Sequence, residues 1–580
     1  MADNPRMIKY KLYLKNPAAH YIYVDLEIDN INTEFLELQL PAWRPGRYEL
    51  GNFAKNIKRV DAFDANGNTL SYSKLNKDKW QIKTDGANAV KVTYSYFAFE
   101  MNAGACFADE TQIYVNPVHV CMYVPDRMNE KHEVTLEIPD DYKIACSMPV
   151  EGKTLTATNF NELADSPFIA SANIKSDVYE VNGIKFYLHF NGECKPDFTK
   201  IKTHFSAFTK KQIDFFGGFP VNEYHFLFQV LPNKYYHGVE HEKSTMIVLG
   251  PAYDLNNGKT YEDLLGVSSH ELFHTWNVKN IRPAEMMPYD FTKENYARTG
   301  YVYEGFTTYY GDVMLRASNV FNDQQYFETL EERLMKHFHN YGRFNLSVAQ
   351  SSWETWLDGY VPGAPYRKTS IYDEGNLVAF ILDVSILKHT QNKNSLKDVC
   401  RKLYNDFGKK GIGYTEKDII GLCNEAAGVS LQEIFDNYVY GTSDFEPVLN
   451  ECFNYVGIEM QKLPSVLTNE NTFGFKVVEQ PGVTKVSLIA PYSPAWKSGL
   501  SASDDIIAVN GFVIKNDLNN WLNYFKGNEI NLTISSQGRL KTVQMKSGAS
   551  TYFNQYKIAA LSKRTLQQEI NYKKWLGIEN

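Results

Sequence analysis

Short segments in which hydrophobic and polar residues alternate run through the first part of the chain. Residues 35–40, 90–97 and 134–138 alternate with a period of two, as strands with one buried face do. Turn-forming residues, such as those at 64–68, separate these segments. The pattern predicts a β-rich N-terminal domain over residues 1–175, and it favours a sandwich or an open-faced sheet over a barrel.

Helical segments dominate the second part of the chain, residues 176–450. Two strands are predicted at its start, at 184–190 and 224–231. Near its end, residues 415–418 and 430–433 have the form of capping boxes, and each predicts the start of a helix. We therefore expect a small sheet followed by a helical bundle.

The third part of the chain returns to strand patterns. Residues 455–548 contain one helical stretch, at 516–525, and form a predicted third domain. The tail, residues 549–580, is predicted to hold a strand and a helix. Together the patterns predict a multidomain α+β protein.

Composition and charge exclude some classes of function. The chain has 580 residues, of which 43% are hydrophobic and 22% charged, as in ordinary globular proteins. Its net charge of -8 is mild, and no cluster of lysine and arginine marks a nucleic-acid surface. No stretch reaches the length of a membrane span. We therefore expect neither a nucleic-acid partner nor a membrane span.

The cysteines and the start of the chain bear on the compartment. The seven cysteines are scattered and form no CxxC pair, so neither a disulfide framework nor a cysteine zinc site is indicated. The first residues lack the apolar segment of a secretory signal. A cytoplasmic location is predicted, with the periplasm as the alternative if a signal peptide was removed.

A metal-binding pattern lies within a predicted helix. His270 and His274 stand four positions apart, so they share one helix face and can hold one metal ion, while Glu271 projects beside it toward a bound water. Glu304, thirty residues after His274, is the candidate third ligand. Three protein ligands leave a fourth position open, as catalytic zinc requires. The alternatives are two histidines packed in a core and, for Glu304, a surface or N-cap carboxylate.

A second motif lies in the predicted third domain. The segments SPAWKSGL at 493–500 and DDIIAVNG at 504–511 closely resemble the two signatures of a PDZ domain. Upstream, Phe473, Gly474 and Phe475 match the place of the loop whose N–H groups hold a peptide carboxylate. The resemblance implies a groove for a peptide terminus, and the alternative is an unrelated small β domain.

Taken together, HELFHTWNVKNIRP at 270–283, YEGFTTYY at 303–310 and the PDZ-like segment resemble the glycyl aminopeptidase family of zinc metallopeptidases, relatives of the alanyl and leucyl aminopeptidases. The resemblance covers most of the chain. It implies a β-rich N-terminal domain, a thermolysin-like catalytic domain over 176–450 and a C-terminal PDZ domain over 455–548. It also implies zinc as the cofactor and Glu304 as the third ligand.

The resemblance assigns a role to the segment HGVEH at 237–241. Gly238 and Glu240 are similar to a glycine and a glutamate that the related enzymes place beside the substrate's N-terminus. Glu240 is therefore expected to hold the free α-ammonium group. The relatives have glycine, methionine and asparagine at the other three positions, and the alternative for Glu240 is an ordinary turn carboxylate.

Tyr372, which precedes an apolar helical segment, resembles the tyrosine that stabilises the oxyanion in these relatives. Glu374 stands where the relatives have lysine, which changes the local charge but leaves the phenol in place. The alternative is a tyrosine that is merely packed or exposed at a helix start.

The resemblance implies a zinc-dependent aminopeptidase that removes an N-terminal residue, preferably glycine or alanine, from peptides with a free N-terminus. In this hypothesis Glu271 takes the proton of a metal-activated water and Tyr372 donates to the oxyanion. Two alternatives stay open: a zinc endopeptidase to which the PDZ domain delivers chain termini, and an inactive scaffold that binds peptides in its PDZ groove. The intact Glu271 argues against the scaffold, because an inactive site needs no general base.

Overall fold

The computed structural model describes residues 7–361, 363–527 and 529–578. The first six residues of the predicted N-terminal domain and the last two of the predicted tail lie outside these ranges. Within the described ranges, no helix combines the length and the apolar character needed to cross a bilayer.

The N-terminal region is built mainly from antiparallel strands that bury one face. In the second strand, for example, Ile22, Val24 and Leu26 are fully buried while the residues between them are partly exposed. The elements of this region are β1 (Met7–Leu14), β2 (Tyr21–Asp29), β3 (Phe35–Gln39), β4 (Ile57–Asp64), β5 (Thr69–Leu70), β6 (Tyr72–Lys74), β7 (Lys79–Lys83), β8 (Ala89–Phe97), β9 (Phe107–Ala108), β10 (Gln112–Val115), α1 (Pro117–Val120), β11 (Lys131–Glu137), β12 (Lys143–Cys146), β13 (Val150–Glu151), β14 (Thr154–Ala157), α2 (Phe160–Ala164) and β15 (Phe168–Ser171).

These strands form an eight-stranded sheet in the order β13-β14-β11-β1-β2-β8-β4-β5 and two smaller sheets, β12-β15-β10-β9 and β3-β7-β6. Their inner faces share one hydrophobic core. The strands predicted at 35–40, 90–97 and 134–138 are confirmed as β3, β8 and β11.

A five-stranded mixed sheet follows and carries the strand nearest to the predicted metal ligands. Its order is β16-β17-β18-β20-β19, so that β19 is an edge strand, antiparallel to β20. The elements are β16 (Lys175–Val181), β17 (Ile184–Asn191), α3 (Phe198–Phe216), β18 (Glu223–Val230), β19 (Tyr235–Glu240), β20 (Ser244–Gly250) and α4 (Gly258–His274). The strands predicted at 184–190 and 224–231 are confirmed as β17 and β18.

Helices dominate the chain from there to residue 455 and pack into one large core with the five-stranded sheet. They are α5 (Thr307–Ala317), α6 (Asp323–His339), α7 (Val348–Asp358), α8 (Asp373–His389), α9 (Leu396–Asp406), α10 (Glu416–Ala427), α11 (Gln432–Ile434) and α12 (Glu446–Tyr455). Single 3-10 turns lie at Pro17–Ala19, Phe53–Asn56, Pro125–Arg127, Ala252–Asp254, Ala284–Met286, Tyr341–Phe344 and Gly408–Lys410, and π-helical turns at Tyr301–Phe306 and Phe435–Val439.

One of the two predicted capping boxes is confirmed and the other is wrong. The side chain of Thr415 caps α10 and that of Asp418 returns the bond. At the second site α11 begins one residue later than predicted, with Leu431 at the N-cap, and it continues as a π-helical turn. Ser430 makes a local contact with the N–H of Gln432 instead of a reciprocal box.

The C-terminal region contains a small sheet of its own, in the order β22-β23-β24-β26-β27, with a separate core. Two flanking strands, β21 and β28, pair with each other. The elements are β21 (Ile458–Leu463), α13 (Thr468–Asn471), β22 (Phe475–Gln480), β23 (Val483–Ile489), α14 (Pro494–Ser498), β24 (Asp505–Val509), β25 (Phe512–Val513), α15 (Leu518–Tyr524), β26 (Ile530–Ser536), β27 (Arg539–Met545), β28 (Gln555–Ala560) and α16 (Leu566–Leu576).

The last strand and helix pack on the helical region. The N–H of Ile558, in β28, donates to Glu331 of α6 at 2.9 Å. The indole N–H of Trp575, in α16, donates to the hydroxyl of Tyr309 of α5 at 2.8 Å. The predicted strand and helix of the tail are therefore present, and they belong to the core of the helical region.

Candidate metal centre and active site

Helix α4 carries the two predicted histidine ligands on the face that meets β19. The helix packs against β19, β20 and α5. Leu264, Leu272 and Phe273 on its other faces are buried in the large hydrophobic core. The predicted helix that holds the two histidines is thereby confirmed.

The side chains of His270, His274 and Glu304 converge on one point. The two Nε2 atoms lie 3.0 Å apart. The Oε2 atom of Glu304 lies 3.7 Å from Nε2 of His270 and 3.4 Å from Nε2 of His274. Donor atoms bound at about 2.1 Å to a tetrahedral zinc ion are about 3.4 Å apart, so this triangle has the size that such an ion requires.

Hydrogen bonds to other residues hold two of these side chains in orientation. Nδ1 of His274 lies 2.6 Å from the carbonyl oxygen of Asn277, which leaves Nε2 to face the cluster. The hydroxyl of Tyr48 donates to Oε1 of Glu304 at 2.9 Å. The other oxygen of Glu304, Oε2, is buried without a hydrogen-bond partner among the described residues. A cation held between the three side chains would give this oxygen a partner.

Glu304 reaches the cluster from the π-helical turn Tyr301–Phe306, directly before α5. It is only 2% exposed, which rules out a surface carboxylate. The turn lies close against the start of α8, because Gly305 and Gly375 face each other and a β-carbon on Gly305 would lie 2.5 Å from the backbone of Gly375. This contact brings the segment of Glu304 beside that of Tyr372.

The charges around the two histidines favour a bound cation. Burial lowers the pKa of His274, but the carboxylates of Glu304 and Glu240 outweigh that effect and raise it to about 10. Burial lowers the pKa of His270 to about 4. For Glu304, burial acts to raise the pKa, but His274 and His270 reverse the effect and hold it at about 2. The cluster therefore concentrates negative charge in a poorly solvated space.

Glu271 and Glu240 form a second group beside the first. One oxygen from each lies within 4.8 Å of the other and of a His274 nitrogen. Both side chains are buried, and Oε2 of Glu271 and Oε1 of Glu240 have no hydrogen-bond partner among the described residues. Burial raises the pKa of Glu271 well above its usual range. His274 acts to lower this pKa, and the negative charges of Glu240 and Glu304 act to raise it further.

Gly238 and Glu240 both lie on the edge strand β19. A β-carbon on Gly238 would lie 2.3 Å from Oε1 of Glu271, so the backbone of β19 passes directly over that carboxylate. The structure thus brings both predicted substrate-binding residues to the metal-ligand cluster.

Tyr372 stands at the N-cap of α8 and is partly buried. Its hydroxyl lies 3.3 Å from the hydroxyl of Tyr360. The next residue, Asp373, is held by Arg333 at 3.0 Å, which fixes the start of the helix. Burial and the nearby carboxylate of Glu304 raise the pKa of Tyr372 well above 10, so its phenol stays protonated and able to donate.

The N-terminal region supplies residues that the sequence reasoning did not identify. Tyr48 bonds Glu304, and Gly46 lies against Glu240, where a β-carbon would be 2.4 Å from Oε2. Arg44 is buried, and Glu240 is the carboxylate that most favours its charge. The signal that marks this segment is PAWRPGRY at 41–48, an aromatic and basic run with two prolines that fits neither strand nor helix periodicity.

The predicted carboxylate-binding loop lies far from the metal ligands in sequence and is closed in this structure. The N–H groups of Phe473 and Gly474 donate to the carbonyls of Thr468 and Glu470 at 3.3 and 3.2 Å. Phe473 and Phe475 are buried in the core of the small sheet. A β-carbon on Gly474 would lie 3.0 Å from the ring of Tyr552, so the segment before β28 covers the loop. Its role in peptide binding remains a prediction.

Comparison with known proteins gives two family matches. The profile of the peptidase M61 N-terminal domain matches residues 9–172, and that of the M61 glycyl aminopeptidases matches residues 263–378. The second match contains every proposed metal ligand, Glu271 and Tyr372. No curated protein matches the chain.

Solved structures are also similar to this one. The crystal structure of an aminopeptidase N family protein from Idiomarina loihiensis is 26% identical in sequence, with a TM-score of 0.91 over 98% of this chain and 100% of that chain. An M1 zinc metallopeptidase from Deinococcus radiodurans is 13% identical, with a TM-score of 0.45 over 76% of this chain and 95% of that chain.

Proposed function

Because this chain belongs to the M61 glycyl aminopeptidase family of peptidases, we propose that it is a zinc-dependent aminopeptidase that removes an N-terminal glycine or alanine from peptides. The observation that supports this most directly is the convergence of two imidazoles and the carboxylates of Glu240, Glu271 and Glu304 on one buried space. One carboxylate, Glu304, completes a ligand triangle of the size zinc requires. A second carboxylate, Glu240, is left for the substrate.

His270, His274 and Glu304 are the proposed zinc ligands. Zinc held there would acidify a water molecule and polarise the scissile carbonyl. Glu271 lies beside the ligands with one oxygen free, and its raised pKa suits a group that takes up a proton at neutral pH. We assign it the removal of the water's proton and its delivery to the departing amine.

Tyr372 is the proposed donor to the oxyanion that forms at the scissile carbonyl. Its phenol is protonated at neutral pH, and Tyr360 and the bond between Arg333 and Asp373 hold it in place. A donor fixed in advance stabilises developing charge without reorganising during the reaction.

Glu240 is the proposed partner of the substrate's α-ammonium group. A buried carboxylate oxygen without a partner is stabilised most by a hydrogen bond from a cationic donor. Glu240 would therefore favour substrates with a charged N-terminus. Gly46 and Tyr48 close the space around Glu240 and Glu304 from the N-terminal region. This wall supports a preference for small N-terminal residues such as glycine and alanine.

The finer domain assignments belong to the same proposal. Residues 176–450 would form a thermolysin-like catalytic domain, and residues 455–548 a PDZ domain that takes a peptide terminus. In support of the second, β22 is the edge strand of the small sheet, and an extended peptide can add to such an edge.

The proposed function is tested with chromogenic aminoacyl substrates. Glycyl and alanyl p-nitroanilides should be hydrolysed, hydrolysis should stop on chelation, and zinc should restore it. Glu240→Gln should reduce kcat/KM for free-amine peptides about 10- to 100-fold, since it removes a hydrogen bond between charged groups. Peptides with a blocked N-terminus serve as the control. Equal losses for free and blocked peptides would contradict the exopeptidase and favour an endopeptidase.

A further inference from the structure

A groove lies between Tyr372 and the small C-terminal sheet. It has a volume of about 670 Å³ and is lined by α6, by residues 364–372 and by two side chains of the small sheet, Lys476 and Leu488. A volume of this size is typical of sites that hold a small ligand or a few residues of peptide. Tyr372, the proposed oxyanion donor, is one of the residues that line this groove.

The lining of this groove is mainly apolar. Met335, Tyr366, Ile371 and Leu488 contribute side chains to it. Leu488 is 36% exposed although it is a large apolar residue. An apolar groove that remains open to solvent gains free energy when it is covered by apolar side chains.

The charged residues of the groove are not balanced. Lys336 is paired with Glu332 at 2.9 Å, and Arg367 with Asp358 at 3.1 Å. Lys368 and Lys476 line the groove, and neither forms a direct ion pair among the described residues. Burial lowers the pKa of Lys368, and the nearby carboxylates of Asp358 and Glu354 act against that effect. Lys476 contacts Nδ1 of His339 at 3.0 Å, which supplies no negative charge. The groove therefore presents two lysines that have no direct ion-pair partner among the described residues.

An aminopeptidase places a single residue on the amine-binding side of the scissile bond. In the proposed function that residue lies at Glu240, so the rest of the peptide must continue past the scissile carbonyl and the oxyanion donor, Tyr372. A short peptide extends by about 3.3 Å per residue and ends in a carboxylate. A short peptide would place apolar side chains against the apolar lining of the groove and its terminal carboxylate near the two lysines.

We propose that the groove binds the part of the substrate that follows the scissile bond, and that Lys368 and Lys476 bind the terminal carboxylate of short peptides. This inference rests on the proposed function and narrows its substrate class to short peptides with a free C-terminus. The small sheet then contributes Lys476 and Leu488 to substrate binding. These side chains lie on a surface other than the covered Phe473–Phe475 loop.

The test compares one glycyl tetrapeptide of apolar residues as the free acid and as the C-terminal amide, with glycyl p-nitroanilide as the reference. For the wild-type enzyme, kcat/KM for the free acid should exceed that for the amide about five- to tenfold, the effect of a partly desolvated charge pair. In the double variant Lys368→Gln, Lys476→Gln this ratio should fall to about one. Because the ratio compares two substrates on one protein, a general loss of folding does not change it.

The matched control is Lys497→Gln, Lys541→Gln, which removes two exposed lysines of the same small sheet domain outside the groove. It should keep the wild-type ratio. A second variant, Leu488→Glu, should raise KM for both tetrapeptides relative to glycyl p-nitroanilide, because it places a charge in the apolar lining.

The possible outcomes separate the role of the groove from that of the metal site. If the wild-type enzyme cleaves glycyl p-nitroanilide but treats free acid and amide alike, the groove assignment is wrong and the proposed function stands. If the control variant loses the ratio as fully as the groove variant, the two lysines have no specific role. If no glycyl substrate is cleaved with zinc present, the proposed function fails and this inference fails with it.

Discussion

Two buried charged clusters lie side by side at the end of β19, one at Glu240 and the other at His241. They differ in whether the charges of the chain pair with each other. Glu240 faces the metal-ligand cluster, and one of its oxygens is buried without a partner among the described residues. His241, the next residue, faces Asp165, with Nδ1 3.1 Å from Oδ1. Asp165 also accepts from the ammonium of Lys279 at 2.8 Å and from the N–H of Glu242 at 2.9 Å.

The difference in pairing indicates a structural role for the cluster of Asp165 and a functional role for the cluster of Glu240. In the cluster of Asp165 the charges of the chain pair with each other, and the contact joins the N-terminal region to the residues after α4. In the cluster of Glu240 three carboxylates lie around two imidazoles, and each leaves one buried oxygen without a partner. Buried charges that a chain leaves unpaired mark the place where a ligand supplies the missing partner.

Glu271→Gln gives the largest expected effect and tests the unpaired cluster. It should reduce kcat about 10²- to 10⁴-fold, since it removes the general base. It should not lower the free energy of unfolding, because it removes a buried charge that burial and like charges already destabilise. Steady-state kinetics, zinc content and chemical denaturation measure these quantities. Unchanged kcat with normal zinc content would leave Glu271 without a catalytic role.

Asp165→Asn tests the paired cluster and should have the opposite character. It leaves the buried ammonium of Lys279 without its counter-ion, so the free energy of unfolding should fall by about 3–5 kcal/mol. Chemical denaturation at neutral pH measures the loss. Asp126→Asn, at an exposed position, is the control and should change stability little. If the Asp165 variant is as stable as the control, the contrast between the two clusters does not hold.

The pH dependence of that loss is the smallest effect and sharpens the comparison. Burial acts to raise the pKa of Asp165, but Lys279 and His241 outweigh it and hold the pKa well below its usual value. A depressed pKa contributes stability that is complete above the unfolded value of about 3.9 and is lost as the pH falls toward the folded value. The stability gap between the wild type and Asp165→Asn should therefore be constant from pH 8 to about 5 and narrow below about 4. A gap that does not narrow below about pH 4 would contradict the pairing.

Features that depend on local spacing could be predicted from the sequence. Helix α4, the strands β17 and β18 and the helix after Tyr372 follow from periodicity and flanking residues, because each is decided within about 10 to 20 positions. The second capping box shows the limit of such reasoning. The residue types at 430–433 suit a capping box, but Ser430 accepts from the N–H of Gln432 and the helix begins one residue later.

Features that depend on distant segments could not be predicted in the same way. Tyr48 meets Glu304 across 256 residues of sequence, and no local pattern encodes that contact. Arg44 and Gly46 reach Glu240 from the same segment, because packing between the N-terminal region and the helical region decides where it lies. For Glu304 the motif and the family resemblance proposed a ligand, and only the fold places it beside the histidines.

The pairing of β21 with β28 makes the small sheet an insertion rather than an appendage. The inserted segment begins after β21 and ends before β28, and these two strands pair with each other. The chain after β28 then packs on the helical region, where Trp575 donates to Tyr309. Trimming the chain at residue 548 would thus strip a packing element from the enzyme's own interior. Excising residues 464–554 and joining the two ribbon strands by a short turn is the deletion that respects this architecture.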